Sequence, residues 1–542
     1  MTHRRLLGAI AGTAAILLLA GCAGGQHGQS TAKIEFSSDT PKATGALDKI
    51  TWNLQYEPSS VDPAHSGNYA ENQVIANLCD TLLRVDPTDP SVVNPGLATS
   101  HSNPTPTTWV YDLNPAATFW DGTPVTPEDV AFSLMRNKDA NLNSYYAPYF
   151  SDVTSVEKTG DHQVTVNLSA PDAQFDRAMS SPAGTVIEKA YAESKGDKYG
   201  TPSGGAMCSG PFQFGSWTPG KELTITKNAK YWDSALEPKV GAVTFTFIGD
   251  GATLANALLS GQVDGSYQLP WDALQRLSTS KVGSVYYTTS TIVFSLIVSA
   301  KSGPLTDPKI RRALAYALDR KGIVSNAFAG AATGVKALAS PDTWTYAKDI
   351  YSAAYDKLPA AEQNLEKAKQ LVKEAGSPNQ PIVLAYASGA SQYVATIFDS
   401  IQQTGKQIGL NITLKPMPVK TYNSIFGDEN LQKGIDGFET DWYPDLPDPL
   451  NFYSMFVKDA SSLTFGYDNS VVNSTLTEAK QTADPSARAT LVAKAQERIT
   501  TDLPWMPIAE EANTLFMNKR LTGAPTAFVQ LNFPWAARLG AR

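Results

Sequence analysis

The secondary-structure pattern of the sequence changes twice along the chain, and these changes constrain the fold more than any other feature. Short alternating strands and turns dominate up to about residue 290, whereas residues 290–512 alternate strands with amphipathic helices. IVLAYAS (382–388), a helix from about 393 to 408 and LNITLKP (410–416) follow one another there. This order predicts a βαβ unit with parallel strands and a right-handed crossover.

The tail from Pro504 returns to strand and loop, which predicts that it folds back onto the first region. A chain of 542 residues also exceeds the size at which a single core stops growing. We therefore expect an α/β protein with two lobes and a cleft, joined by a two-strand hinge. Lobe I would comprise 48–289 and 513–542, with a subdomain inserted at about 70–200, and lobe II would comprise 290–512.

The first residues predict export. Arg4 and Arg5 precede an apolar run, Leu6–Ala20, which is too short to span a bilayer comfortably. The LAGC tetrad that ends at Cys22 resembles a bacterial lipobox. It predicts a signal peptide at 1–21, diacylation of Cys22 and a flexible tether at 22–47 that carries the folded body outside the cytoplasm on the membrane. The alternative is an ordinary cleaved signal with a chance cysteine.

Few residues of this chain suit metal or nucleic-acid binding. The histidines are scattered singly and no HExxH occurs, so we expect neither a metal centre nor a cofactor. A formal charge of −8 without a basic run gives no support for nucleic-acid binding. Cys79 and Cys208 form an even pair in an exported chain, which favours a disulfide over a reactive couple.

One stretch, residues 437–453 (GFETDWYPDLPDPLNFY), combines four acids, three prolines and five aromatic rings without a basic residue. Its prolines exclude a regular helix and favour a rigid loop. Trp442, Tyr443 and an aspartate at 441, 445 or 448 then suit an amine carried on an apolar body. The alternative is an acidic surface loop whose rings pack on the domain beneath.

A run of segments resembles, in order, the peptide-binding proteins of ABC importers, solute-binding family 5. The likeness extends from about residue 49 to 523. Each segment alone is a weak indication of the family, but the segments together, in this order, are specific for it. The segments are VDPA at Val61, CDTLLRVDP at Cys79, FWDGTPVTPEDVAFSL at Phe119, SGPFQF at Ser209, LLSGQVD at Leu258, DPKIRRALAYALDR at Asp307, AKQLVKEAG at Ala368 and WYPDLPDP at Trp442.

The resemblance implies a two-lobe periplasmic-binding-protein fold that closes on a peptide bound like an added strand. It implies that the WxxD acid, here Asp445 after Trp442, pairs with the ligand's α-amino group. Glu57 and Pro58, in the loop after the first strand, are expected to face the cleft. The expected function is capture of di- to oligopeptides outside the cytoplasm and delivery to ABC permease subunits, by a monomer without enzymatic activity.

One feature departs from that family. Dipeptide binders hold the ligand carboxylate with an arginine of the second lobe, but no arginine occurs between Arg320 and Arg488. Lysines do occur there, among them those at 336, 348, 357, 406, 415, 420 and 433. Because lysine is a point charge and not a bidentate fork, strict selection of length by a carboxylate clamp is not expected.

Other functions stay open at this point. The same fold could bind haem, a nickel chelate or an oligosaccharide. A hydrolase is a remote alternative: Ser155 and Lys158 have SxxK spacing and Lys158–Gly160 reads KTG, but one lysine cannot serve both elements. An adhesin or envelope scaffold would be expected to show internal repeats, and the sequence has none.

Overall fold

The structure of the protein is a computed structural model that describes residues 34–37, 39–388 and 392–542. The predicted signal peptide (1–21) and the predicted lipid-attachment residue Cys22 lie outside the described residues. The strands are β1 (Leu47–Leu54), β2 (Leu83–Val85), β3 (Val93–Pro95), β4 (Ala98–Thr105), β5 (Thr108–Leu113), β6 (Val153–Gly160), β7 (Gln163–Leu168), β8 (Phe212–Thr218), β9 (Glu222–Lys227), β10 (Val240–Phe247), β11 (Gly265–Tyr267), β12 (Gly283–Thr288), β13 (Val293–Val298), β14 (Ala332–Gly334), β15 (Ile382–Ser388), β16 (Ile412–Pro418), β17 (Gly437–Trp442), β18 (Trp505–Glu511), β19 (Asn513–Asn518), β20 (Leu521–Thr522) and β21 (Gly540–Ala541).

Several helices begin where the sequence places a polar cap before proline. Thr126 forms a capping box with Asp129 at the start of the second helix, and Asp484 caps the last one. The helices are α1 (Tyr69–Leu78), α2 (Pro127–Arg136), α3 (Phe175–Ala178), α4 (Lys189–Lys195), α5 (Gly251–Ser260), α6 (Leu274–Ser278), α7 (Pro308–Ala317), α8 (Arg320–Ala327), α9 (Lys348–Asp356), α10 (Leu365–Glu374), α11 (Gln392–Gln407), α12 (Val419–Asn423), α13 (Pro449–Tyr453), α14 (Ser470–Gln481) and α15 (Pro485–Asp502).

Lobe I is built on a seven-stranded sheet with the order β12-β19-β11-β1-β10-β9-β8. β1 runs parallel to β10 and β11, whereas the other pairs are antiparallel. The C-terminal segment covers this sheet: the rings of Trp52 and Trp535 lie 4.6 Å apart, and both side chains are fully buried. The tail therefore belongs to the core of lobe I.

Lobe II is built on a six-stranded sheet with the order β14-β18-β13-β17-β15-β16. β15 and β16 are parallel and are connected through α11, as the βαβ pattern predicts. β13 lies antiparallel between β17 and β18, and its six residues are buried because helices cover the sheet. The fold is thus mixed α/β with two lobes.

The chain passes between the two sheets at two places. It leaves β12 at Thr288 and enters β13 at Val293, and it leaves β18 at Glu511 and enters β19 at Asn513. Two adjacent connections of at most a few residues therefore join the lobes. Such a pair of short connections is the usual form of a hinge.

A separate four-stranded antiparallel sheet, β4-β5-β7-β6, packs with α2 around its own core in lobe I. Cys79 and Cys208 form a disulfide beside it, with Cα atoms 4.9 Å apart. Leu446 also belongs to this core and is 2% exposed, although it comes from the loop after β17 of lobe II. The loop of one lobe therefore inserts into the subdomain of the other.

Part of the segment assigned to the tether lies against lobe I. The Thr40 hydroxyl donates to the Ala524 carbonyl at 2.8 Å, and Asp39 forms an ion pair with Arg538 at 2.5 Å. Residues from Asp39 onward therefore belong to the folded body. In the described part of the chain no helix has the length and hydropathy needed to cross a bilayer.

Candidate functional site

The loop between β17 and α13, residues 443–448, carries the residue types predicted to bind a ligand. β17 ends at Trp442, and α13 begins after Asp448, whose side chain accepts a hydrogen bond from Leu450 N at 2.8 Å. Asp448 therefore serves the geometry of the loop. Prolines at 444, 447 and 449 keep the intervening backbone out of a helix.

Asp445 is the other acid of this loop, and its hydrogen bonds come from neutral groups. Its Oδ2 accepts a hydrogen bond from the Tyr149 hydroxyl at 3.0 Å, and its backbone carbonyl accepts one from Asn532 Nδ2 at 3.2 Å. Burial raises the pKa of Asp445 to about 6, and the hydrogen bond from Tyr149 opposes this only in part. No described lysine, arginine or histidine forms an ion pair with it.

Tyrosines of the subdomain surround this carboxylate. The charge of Asp445 and burial raise the pKa of Tyr145, and burial next to Asp445 does the same for Tyr146 and Tyr149. Asn451 Nδ2 donates to the Tyr149 hydroxyl at 2.6 Å and so directs its proton towards Asp445. The three tyrosine hydroxyls therefore stay protonated at neutral pH. Among these four side chains, Asp445 is the one that can carry a negative charge.

A cavity of about 240 Å³ lies beside Asp445, between the lobes. Elements of lobe I, lobe II and the C-terminal segment contribute to its wall. The lining residues are Asn72, Val85, residues 88–91, residues 288–291, Pro341, Asp342, Trp344, Thr345, Lys348, Tyr443, Pro444, Asp445, Pro447, residues 527–529, Leu531 and Asn532. Mixed apolar and polar walls of this kind are typical of small-ligand sites.

Aromatic rings cover the side of the cavity next to Asp445. Tyr443 lines it, and its ring lies 4.7 Å from that of Tyr69 and 5.4 Å from that of Phe528. The hydroxyls of Tyr443 and Tyr69 are buried and have no hydrogen-bond partner among the described residues. Aromatic faces beside a desolvated carboxylate can accept a cationic group on an apolar body.

The structure separates the predicted ligand-binding residues into two groups. Asp445 and Tyr443 line the cavity, whereas Trp442 packs edge-on against Trp505 in the core of lobe II, with ring centroids 5.6 Å apart. Trp442 therefore supports the loop from behind. Sequence spacing could not show this contact. The two rings come from β17 and β18, which are distant in sequence and are brought together because both strands pair with β13.

Glu57 and Pro58 do not line the cavity, contrary to the expectation that they face the cleft. Both carboxylate oxygens of Glu57 are occupied within lobe I: one accepts from Trp217 Nε1 at 2.8 Å and the other from Gly220 N at 2.9 Å. Pro58 is buried beside it. Glu57 therefore holds the β8–β9 hairpin, and we do not retain either residue as a ligand contact.

Sequence reasoning missed several polar residues of the site. Asn72 and Trp344 line the cavity, and Tyr149 donates to Asp445 from outside the cavity wall. None of the three carries a local motif, and they reach the site only through the packing of α1, the subdomain and the segment before α9. Lys348 stands among the lysines of the arginine-free region, but nothing in the sequence separates it from the others. Arg488, which ends that region, stacks on Tyr346 at 4.4 Å and is not part of the cavity wall.

A second group of acids lies near Tyr69 but outside the cavity wall. Burial, together with the charge of Asp441, raises the pKa of Glu439 to about 8 and that of Glu511 well above its usual range. Asp441 accepts a hydrogen bond from Tyr393 at 2.7 Å. These carboxyl groups belong to β17 and β18 and are held by lobe II residues, so we do not assign them to the ligand site.

Two α/β lobes joined by two short connections, with a cavity between them, define a solute-binding protein. A family model described as "Bacterial extracellular solute-binding proteins, family 5 Middle" matches residues 92–463. The chain belongs to this family, whose members are extracellular solute-binding proteins and not a class of enzymes.

Known proteins resemble the chain over most of its length. It is 26% identical over 497 residues to the periplasmic oligopeptide-binding protein OppA of Salmonella typhimurium. The matched region covers 87% of this chain and 89% of that protein. The Helicobacter pylori periplasmic binding protein DppA, solved with the peptide STSA, superimposes with a TM-score of 0.79 at 21% identity over 92% of this chain and 98% of that one.

Campylobacter jejuni NikZ, solved with Ni(L-His), superimposes with a TM-score of 0.77 at 19% identity over 89% of this chain and 96% of that one. These structures confirm the predicted fold class. Because their sequence identities to this chain are only 21% and 19%, these structures do not identify its ligand.

Proposed function

We propose that the protein is an extracytoplasmic lipoprotein that captures peptides and delivers them to the permease of an ABC importer. The observation that carries the proposal is Asp445: a half-buried carboxylate in the wall of an inter-lobe cavity, with one hydrogen-bond donor and no described counter-charge. The α-amino group of a peptide would supply the missing charge. The resemblance to an oligopeptide-binding protein supports the same ligand class.

The geometry favours recognition of the amino end over recognition of sequence. A charge-assisted hydrogen bond to an enclosed ammonium contributes about 1.5–3 kcal/mol, which sets the register of the ligand without selecting its side chains. Tyr443 and Phe528, which line the cavity, offer aromatic faces to the first residue of the peptide. Diacylation of Cys22 would keep the protein at the membrane beside its permease.

Binding of mixed peptides tests the proposal. Native mass spectrometry of the purified protein, and of the protein incubated with a pool of tripeptides, should show bound peptide, and Asp445→Ala should lower its affinity by about tenfold or more. Asp448→Asn is the matched control, since its carboxylate caps α13 and lies outside the cavity lining. Undiminished peptide binding by Asp445→Ala would exclude the assignment.

A further inference from the structure

Two carboxyl groups meet where the chain crosses from lobe II back to lobe I. Glu511 is the last residue of β18, and only Ala512 separates it from β19. Its carboxyl group lies within hydrogen-bonding reach of that of Asp441, on β17. Glu511 Oε1 and Asp441 Oδ1 are buried and receive no hydrogen bond from the described residues. Two ionised carboxylates in contact repel each other, whereas one proton shared between them supplies the missing donor.

The described groups packed around this pair include no cation. Glu439, two residues before Asp441 on β17, is buried and adds a third acid. The remaining polar groups are tyrosine hydroxyls, contributed by Tyr69 on α1, Tyr393 on α11 and Tyr422 on α12. Burial raises the pKa of all three acids, and that of Glu439 reaches about 8. A proton is therefore the positive charge that this group of acids can hold.

Two aromatic residues of lobe I lie over this part of lobe II. Burial, and to a smaller extent the charges of Asp441 and Glu511, raises the pKa of Tyr69, which places its hydroxyl beside the pair. The ring of Trp271, just before α6, lies 6.4 Å from that of Tyr393, whose hydroxyl donates to Asp441 Oδ2 at 2.7 Å. Separation of the lobes would carry both lobe I rings away. Opening therefore admits water to the carboxyl pair, and closing excludes it.

We propose that Asp441 and Glu511 form a proton-sensitive element of the hinge: the closed arrangement of the lobes holds a proton between the two carboxyl groups, and loss of that proton favours the open arrangement. Because closing takes the pair out of water, the closed form binds the proton more tightly than the open form does. The closed form is therefore favoured at low pH and loses ground as pH rises above the ordinary range of a carboxyl group. Each pKa unit by which closing raises the pair lowers the ratio of closed to open molecules by about tenfold at high pH.

Small-angle scattering of the ligand-free protein at pH 5, 7 and 9 tests the proposal. The radius of gyration of the wild type should increase as pH rises, while circular dichroism shows that the protein stays folded. Glu511→Gln is the decisive variant, because its amide N–H permanently supplies the donor that the shared proton supplies in the wild type. Its radius at pH 9 should stay close to its radius at pH 5. Asp441→Asn places the amide on the other side of the pair and should give the same result.

Glu497→Gln is the matched control, since it makes the same change at an exposed glutamate of α15 in lobe II. It should open with rising pH as the wild type does. Burial also raises the pKa values of Asp445 and Glu510. Both residues are present in every variant, so their titration cannot account for a difference between Glu511→Gln and Glu497→Gln.

Two results would overturn the proton-sensitive element. One is a wild-type radius of gyration that is the same at all three pH values. The other is an increase in both Glu511→Gln and Asp441→Asn as large as that of the wild type. Because no ligand is present in these measurements, they do not depend on the proposed peptide function, and failure of that function would leave them unchanged.

Discussion

At the scale of single residues, Asp445 combines a functional advantage with a structural disadvantage. Its carboxylate is desolvated, accepts one hydrogen bond from Tyr149 and has no described counter-charge. The same isolation that leaves the charge available to an incoming ammonium disfavours the charged form in the folded protein. Functional sites commonly retain such unfavourable groups because replacing them removes activity.

This situation predicts the effect of Asp445→Asn on the ligand-free protein. Burial raises the pKa of Asp445 from 3.8 to about 6, so the folded state binds a proton more tightly than the unfolded state. The resulting destabilisation is present above pH 6 and is lost as pH falls towards 4. Asp445→Asn should therefore raise the free energy of unfolding at pH 7.5 by about 3 kcal/mol, and by much less at pH 4.5.

Urea unfolding of both proteins at the two pH values measures this difference. Comparing the variant with the wild type cancels the titration of Glu439, Asp441 and Glu511, whose pKa values are also raised. A stability difference that is the same at pH 7.5 and 4.5 would show that Asp445 is not the titrating group.

At the scale of elements, the loop 443–448 is held from two sides. Trp442 packs against Trp505 in lobe II, and Leu446 is buried in the core of the subdomain. Asp445 lies between these two contacts. Its position therefore depends on the lobes being close together, and this couples the site to the arrangement of the lobes.

Leu446→Ala should weaken both stability and binding. Removing a fully buried leucine side chain destabilises by about 2–4 kcal/mol, and the loop that carries Asp445 loses its contact with the subdomain. Leu134→Ala, in α2 of the same core, is the matched control: it should lower the unfolding free energy similarly while leaving peptide affinity unchanged. Thermal unfolding and calorimetric titration separate the two effects, and equal affinities for the two variants would contradict the coupling.

At the scale of the whole molecule, lobe II also contacts the subdomain through α14. Lys480 Nζ lies 2.7 Å from Asp152 Oδ2 and 3.4 Å from Asp172 Oδ2, and its backbone carbonyl accepts a hydrogen bond from Ala173 N at 2.8 Å. Asp172 is buried, and burial raises its pKa although Lys480 opposes the shift. This contact joins lobe II to the subdomain of lobe I.

Lys480→Met should therefore favour the open arrangement of the lobes. Because Lys480 is partly exposed, the loss is expected to be about 1 kcal/mol, which corresponds to about fivefold weaker peptide binding. Small-angle scattering should show a larger radius of gyration for this variant than for Lys494→Met, which replaces an exposed lysine on α15. If both variants scatter and bind alike, the contact does not hold the lobes together.

The sequence by itself determined the features that depend on local pattern. The βαβ unit, the proline-initiated helices with their caps and the mixed α/β class follow from periodicity and caps, because these act over a few residues. The proline-rich loop with Asp445 was also evident, since proline excludes a helix wherever it occurs. Among its three aspartates, however, local pattern could not decide which one meets a ligand.

The tertiary structure alone decided the environment of each candidate. Tyr149 reaches Asp445 across 296 residues of sequence, Glu57 is occupied by a hairpin 160 residues away, and Trp442 lies in a core. Trp344, Lys348 and Asn72 enter the site only because two lobes meet there. Desolvation and hydrogen-bond satisfaction depend on which distant side chains pack around a group, and neither quantity is encoded in the residues beside it.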